Sequence, residues 1–144
     1  MSRKTVATYE DARLILHLYE LRREPRLREA RDWFTGKFQP KSIEEIRTVG
    51  AARGTPENAS YRMVTTYWDM AASFVARGIL DSELFLESGG EMLVVWAKLE
   101  PFISELRQGN SRLLKNVERV IEGSPSAKER VAELRKRFAA AARS

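Results

Sequence analysis

The sequence predicts an all-α fold: one domain, a helical bundle of about seven helices around a central antiparallel helix pair. Three observations lead there. Apolar residues recur at three- and four-residue steps along nearly the whole chain, and no long β-branched alternating run interrupts them. Glycines and prolines fall between those segments, where helices need stops. The 144 residues suit a single domain, and a chain of this size buries roughly 70% of its unfolded surface without staples.

Taken in order, the first helix is expected from about Thr8 to Arg23, with Ala12, Ile15, Leu16, Leu18 and Tyr19 as its apolar face. Pro25 ends it or opens the next, because proline is tolerated in a first helical turn. "RLREARDWF" makes a second helix to about Gly36, turning Leu27, Ala30, Trp33 and Phe34 inward. Ser42 and Glu45 form a capping box for a short helix, Ile43–Val49. "GAARGTPENAS" reads as the least ordered stretch. Thr55-Pro56-Glu57 then starts a long helix: cap, proline, and an acid against the helix dipole. That helix should run to Arg77, with Gly78 as a left-handed stop.

Asp81 or Ser82 can cap a single turn carrying Leu84 and Phe85, and Gly89-Gly90 resets the chain. A helix from Glu91 to Arg107 contains Pro101. At about 100° per residue, Met92, Val95, Trp96, Leu99, Phe102, Ile103 and Leu106 share one face and Pro101 lies opposite, which predicts one bent helix. Ser111–Glu122 follows, with Leu113, Leu114, Val117, Val120 and Ile121 inward. "GSPS" is a hinge, and Ser126 with Glu129 forms a capping box for the last helix. The chain divides into a core, 1–123, and a basic amphipathic helix, 124–144, packed on the core or on a partner. Of the net charge of +5, four units lie from Ser126 onward, where six bases meet two acids.

Composition excludes some chemistry. There is no cysteine, hence no disulfide, thiolate metal site or cysteine nucleophile. That usage fits a cytoplasmic location. Arg3 and Lys4 begin like a signal peptide, but "LILHLYELRR" breaks into charge too soon. No apolar run approaches the ~20 residues of a membrane span, so no integral membrane contact is expected.

Catalytic and metal motifs are equally sparse. His17 is the sole histidine, so neither a histidine metal site nor the paired Glu-x-x-His of di-iron bundles can form. "ESGGEM" lacks the lysine and spacing of a phosphate loop, and Glu91 would oppose an anion there. No serine elbow is present. No cofactor or metal is expected. "LRREPRLREARDWF" interleaves Arg22, Arg23, Arg26, Arg28 and Arg31 with acids, the pattern of a self-paired solvated face.

Two stretches remain as candidate sites. In "YRMVTTYWDM" and just beyond it, Met63, Val64, Tyr67, Trp68, Ala71, Phe74 and Val75 share one helical stripe, while Asp69 lies behind with Arg62, Thr66 and Ser73. This reads first as core packing with a solvated back, and buried rings then need at least one internal hydrogen bond. The alternative is an aromatic pocket formed by Tyr61, Tyr67, Trp68 and Trp96, with Asp69 beside it. In the last helix, Val131, Leu134, Phe138 and Ala141 form a stripe flanked by Arg130, Arg135, Lys136 and Arg137. A candidate interaction surface of Arg130, Leu134, Arg135, Arg137 and Phe138 follows.

The expected function is a non-enzymatic protein–protein interaction or scaffold module that forms a homo-oligomer or meets a protein partner. The alternatives are nucleic-acid association through the basic helix and a small-ligand binder or enzyme using the aromatic pocket.

The stretch "YRMVTTYWDMAASFVARGILDSELFLESGGEMLVVWAKLEPFISELR", Tyr61–Arg107, resembles a family of small, mostly helical bacterial proteins carrying a domain of unknown function. The shared elements are the aromatic-rich "YWDMAASFVARGILD", a short turn, and a tryptophan helix ending in "LR". Tyr9–Phe34 fits the family more loosely. The resemblance implies an all-helical fold and carries over no catalytic residue. Some such proteins bear an N-terminal membrane segment, which is not seen here.

Overall fold

The computed structural model describes residues 6–143. Arg3 and Lys4, and Ser144 at the other end, lie outside the described residues. All regular structure among the described residues is helical. Helix α1, Tyr9–Arg22, opens with a capping box. The Asp11 amide donates to the Thr8 hydroxyl at 3.4 Å, and the Thr8 amide donates back to the Asp11 carboxylate at 2.6 Å. Helix α2, Pro25–Asp32, starts on proline, and the Glu24 carboxylate accepts from the Arg26 and Leu27 amides at 3.0 and 2.8 Å. These two amides hold Glu24 below the ordinary carboxylate range.

The chain then widens into a π-helical turn, Trp33–Lys37, before extended residues lead to α3, Ile43–Ala51. The Ser42–Glu45 capping box is present, at 3.3 Å in both directions. Helix α4, Pro56–Ala76, is capped by Thr55 and followed by Gly78 at φ 77°. Only glycine reaches that conformation without cost, so the left-handed stop falls where the sequence placed it. Helix α5, Ser82–Ser88, takes Asp81 as its cap.

Past this point three expectations are corrected. The rod expected from Glu91 to Arg107 is α6, Gly90–Leu99, a 3₁₀ turn at Glu100–Phe102, and α7, Ile103–Gly109. Pro101 has no N–H to donate, so the turn tightens there. Phase survives the break: Leu99 is buried, and Phe102, Ile103 and Leu106 pack against the core. Helix α8 begins at Lys115, not Ser111, and runs to Glu122. Residues 111–114 form a turn in which Leu114, fully buried, adopts φ 52°. Helix α9, Pro125–Arg143, starts from Ser124, whose hydroxyl accepts from the Ala127 amide at 3.2 Å, and not from a Ser126–Glu129 box. Pro125 suits the first helical position, which displaces the start upstream.

Helix α4 is the axis, lying between α2 and α8 with α3 near its start. Helix α6 contacts α4 and α8 and carries α9 on another side. Helix α1 is peripheral, resting on α2 and α5. The interior is filled by Trp68, Phe34, Ile46, Met92, Leu99 and Val117. No helix is long and apolar enough to cross a membrane among the described residues.

The buried side of α1 is also corrected. It consists of Asp11, Leu18 and Arg22, with Leu14 and Ile15 packed beside them. Ala12, Leu16 and Tyr19, expected inward, are exposed. Two polar residues hold the helix at this rotation. Asp11 accepts from the Asp81 amide at 3.2 Å, and Arg22 reaches the Ser88 carbonyl at 3.4 Å, so each end of α1 is tied to α5.

Candidate interaction surface

The aromatic residues of α4 and α6 come first. The Trp68 indole N–H donates to Glu91 Oε2 at 2.9 Å, and Arg31 Nε meets the same carboxylate at 2.9 and 3.2 Å. The Tyr67 hydroxyl donates to the Leu18 carbonyl at 2.6 Å. Both buried polar tips therefore have partners. The Arg22 guanidinium lies 5.1 Å from the Trp68 ring and 5.3 Å from that of Tyr19. The space these groups leave, beside Leu18, Phe85 and Gly89, is about 10 Å³. That holds no more than one water. Arg22 Nε, buried without a protein partner, borders it.

Tyr61 and Trp96 lie elsewhere. Tyr61 stacks with Phe34 at 6.4 Å and meets Phe38 edge-on at 6.0 Å. Trp96 sits under the Arg107 guanidinium at 5.9 Å. The four rings thus occupy three separate places. Burial pushes the Tyr61 and Tyr67 phenols up to about 12.

Asp69 faces away from the rings, but its side of α4 is not a solvated back. Its carboxylate accepts from the Asn116 amide at 2.9 Å, the Val117 amide at 3.1 Å and Asn116 Nδ2 at 3.0 Å, capping α8 from another helix. The acid that does accompany the rings is Glu91, which the sequence marks as a helix start and as a charge opposing an anion, not as a partner of the rings. A signal lay in the preceding glycines: a Cβ at Gly89 would come 2.9 Å from the Phe85 carbonyl oxygen. That close approach lies within the last turn of α5, directly after which α6 begins. His17 is exposed on α1, and among the described residues no three acidic or histidine side chains converge on a metal position.

Lys98 is a further buried charge. Its ammonium donates to the carbonyls of Phe34, Phe38 and Thr35 at 2.7, 2.8 and 3.2 Å. All three of its N–H bonds are engaged, and a cation there satisfies the carbonyls that the π turn leaves open. Burial lowers its pKa to about 8. Next to it, a groove of about 600 Å³ runs between Pro40, Phe102 and the end of α9 at Phe138.

Helix α9 turns Ala127 and Val131 fully inward, with Leu134 and Phe138 half-buried against the core. Arg130 donates to the Leu86 carbonyl at 3.1 Å, and Arg135 to Glu100 at 2.7 Å. Lys128 and Lys136 pair with Glu122 and Glu133 at 3.3 and 3.6 Å, while Arg137 is exposed. The stripe of this helix is used within the domain.

On α1 the opposite holds. Four of the seven large hydrophobic side chains left exposed among the described residues, Tyr9, Leu16, Tyr19 and Leu21, lie on this helix, and a fifth, Val6, lies just before it. Tyr9 is 85% exposed, Leu16 63% and Tyr19 53%. Helical periodicity does not find this face, because it assigns Leu16 and Tyr19 to the buried side of α1.

Compared with known protein families, residues 7–124 match DUF4760, a domain of unknown function. The chain belongs to the DUF4760 family. The match covers α1 through α8 and stops at Ser124, so α9 lies past the part matched to DUF4760. No curated protein and no solved structure matches the chain.

Proposed function

We propose that this DUF4760 domain is a non-enzymatic interaction module that self-associates through the outward face of α1. The observation carrying the reading is the concentration of exposed large hydrophobic side chains on that one helix. Isolated exposed apolar residues are ordinary on a protein surface; a grouped set marks a contact face. The interior supports the same reading. Both oxygens of Glu91 and all three N–H bonds of Lys98 are engaged by the protein itself, and the space beside Trp68 has no room for a substrate. A cytoplasmic setting and a bacterial origin complete the proposal, the first on the absence of cysteine and the second on the resemblance.

Nucleic-acid association through α9 draws less support, because Lys128, Arg130, Arg135 and Lys136 already have partners within the domain. Light scattering over a concentration series tests the module reading. The wild type should show a mass that rises above that of the 16.5 kDa monomer as concentration increases. Leu16→Glu should remain monomeric over the same range with an unchanged circular dichroism spectrum, since Leu16 is mostly exposed. Equal association by both proteins would rule out α1 as the contact face.

A further inference from the structure

We infer that two copies of this chain pair their α1 helices antiparallel, about a two-fold axis beside Leu16 and His17. This inference rests on the module reading above and supplies its geometry. At about 100° per residue, Tyr9, Ala12, Leu16 and Tyr19 form one strip along α1. They recur at alternating three- and four-residue steps, the spacing of a seam between two helices. Arg13 and Glu20 stand along one edge of that strip, two turns or about 10 Å apart. Both are exposed, and neither forms an ion pair with another described residue.

These charges select the direction. In an antiparallel pair centred between them, Arg13 faces the partner's Glu20 and Glu20 faces the partner's Arg13. The same register brings Arg23, exposed at the end of the strip, to the partner's Tyr9, where a guanidinium can lie over the ring. A parallel pair in register sets each charge level with its own copy, and the complementarity is lost. Helix α1 lies at the edge of the bundle, against α2, α5 and the Tyr67 hydroxyl of α4, and its opposite face leaves the strip accessible. One face of a 14-residue helix makes a contact smaller than the ~1,200 Å² of stable complexes, so the association is weak and reversible.

Charge reversal is the test, read by sedimentation equilibrium at low salt. Arg13→Glu and Glu20→Arg should each weaken association about tenfold, as two like-charge pairs replace two opposite ones. The double variant Arg13→Glu/Glu20→Arg should restore it to within about threefold of the wild type, because the swap rebuilds both pairs. All four side chains involved are on the surface, so folding is not at stake. If the wild type associates and Leu16→Glu abolishes it, but the double variant is no tighter than either single one, the antiparallel pairing is wrong and the module reading stands. A wild type that is monomeric at every concentration removes both.

Discussion

Tyr61 and Tyr67 carry the same kind of ring into the interior but leave their hydroxyls in different circumstances. The Tyr67 hydroxyl has the Leu18 carbonyl, whereas that of Tyr61 donates to no described residue. Burial raises both phenols to about 12, since the phenolate would have to sit in a poorly solvated place. The sign follows from linkage. The stability they confer is fully present below pH ~10, the unfolded value, and is lost as pH climbs through 12. Tyr61→Phe should therefore change stability at pH 7 by no more than about 0.5 kcal/mol, yet lose less stability than the wild type above pH 10. Lys98 works in the other direction: its lowered pKa relieves the burden of a buried charge as pH rises above about 8. Comparing melting temperatures of the two proteins at each pH from 8 to 12 cancels that contribution. Parallel curves would show that the Tyr61 phenol is not held in its neutral form.

At the scale of the element, starts and stops were legible and rotations were not. The Ser42–Glu45 box, the Thr55 cap and the Gly78 stop each depend on residues within one turn of the event, so local sequence carries them. The rotation of α1 depends on Asp11 meeting the Asp81 amide and Arg22 meeting the Ser88 carbonyl, 70 and 66 residues away. Periodicity counts apolar residues and cannot see such partners, so it turned Leu16 and Tyr19 inward. The start of α8 failed for a related reason. Its first amides are satisfied by Asp69 from α4, which lets Ser111–Leu114 leave the helix. Asp69→Ala should thus uncap α8 and cost about 1–2 kcal/mol in urea denaturation. A loss below about 0.3 kcal/mol would mean that water or another side chain replaces the carboxylate.

For the whole molecule, the fold class was readable because helical spacing and breaker placement act along the entire chain. The candidate site was not, because it depends on which apolar faces find cover. The sequence drew attention to α9 by its charge, and that helix lays Val131, Leu134 and Phe138 on the core. The uncovered face lies on α1, at the other end of the chain. Removing 125–144 should accordingly act on stability before it acts on association. At about 1.5–3 kcal/mol for each large apolar side chain buried, the loss is on the order of 5 kcal/mol. Thermal unfolding of the truncated chain measures it, and a truncated protein that melts like the full chain would show α9 to be an energetically idle appendage.

Helix ends in this protein are tied across elements as well as within them. Asn58 of α4 donates to the Val49 and Gly50 carbonyls at the end of α3, while Asp69 of the same helix holds the beginning of α8. Neither neighbour can fray inward from the tied terminus while α4 stays intact. Amide hydrogens of α3 and α8 near those ties therefore exchange with solvent through the same opening that releases α4, and the three helices behave as one folding unit.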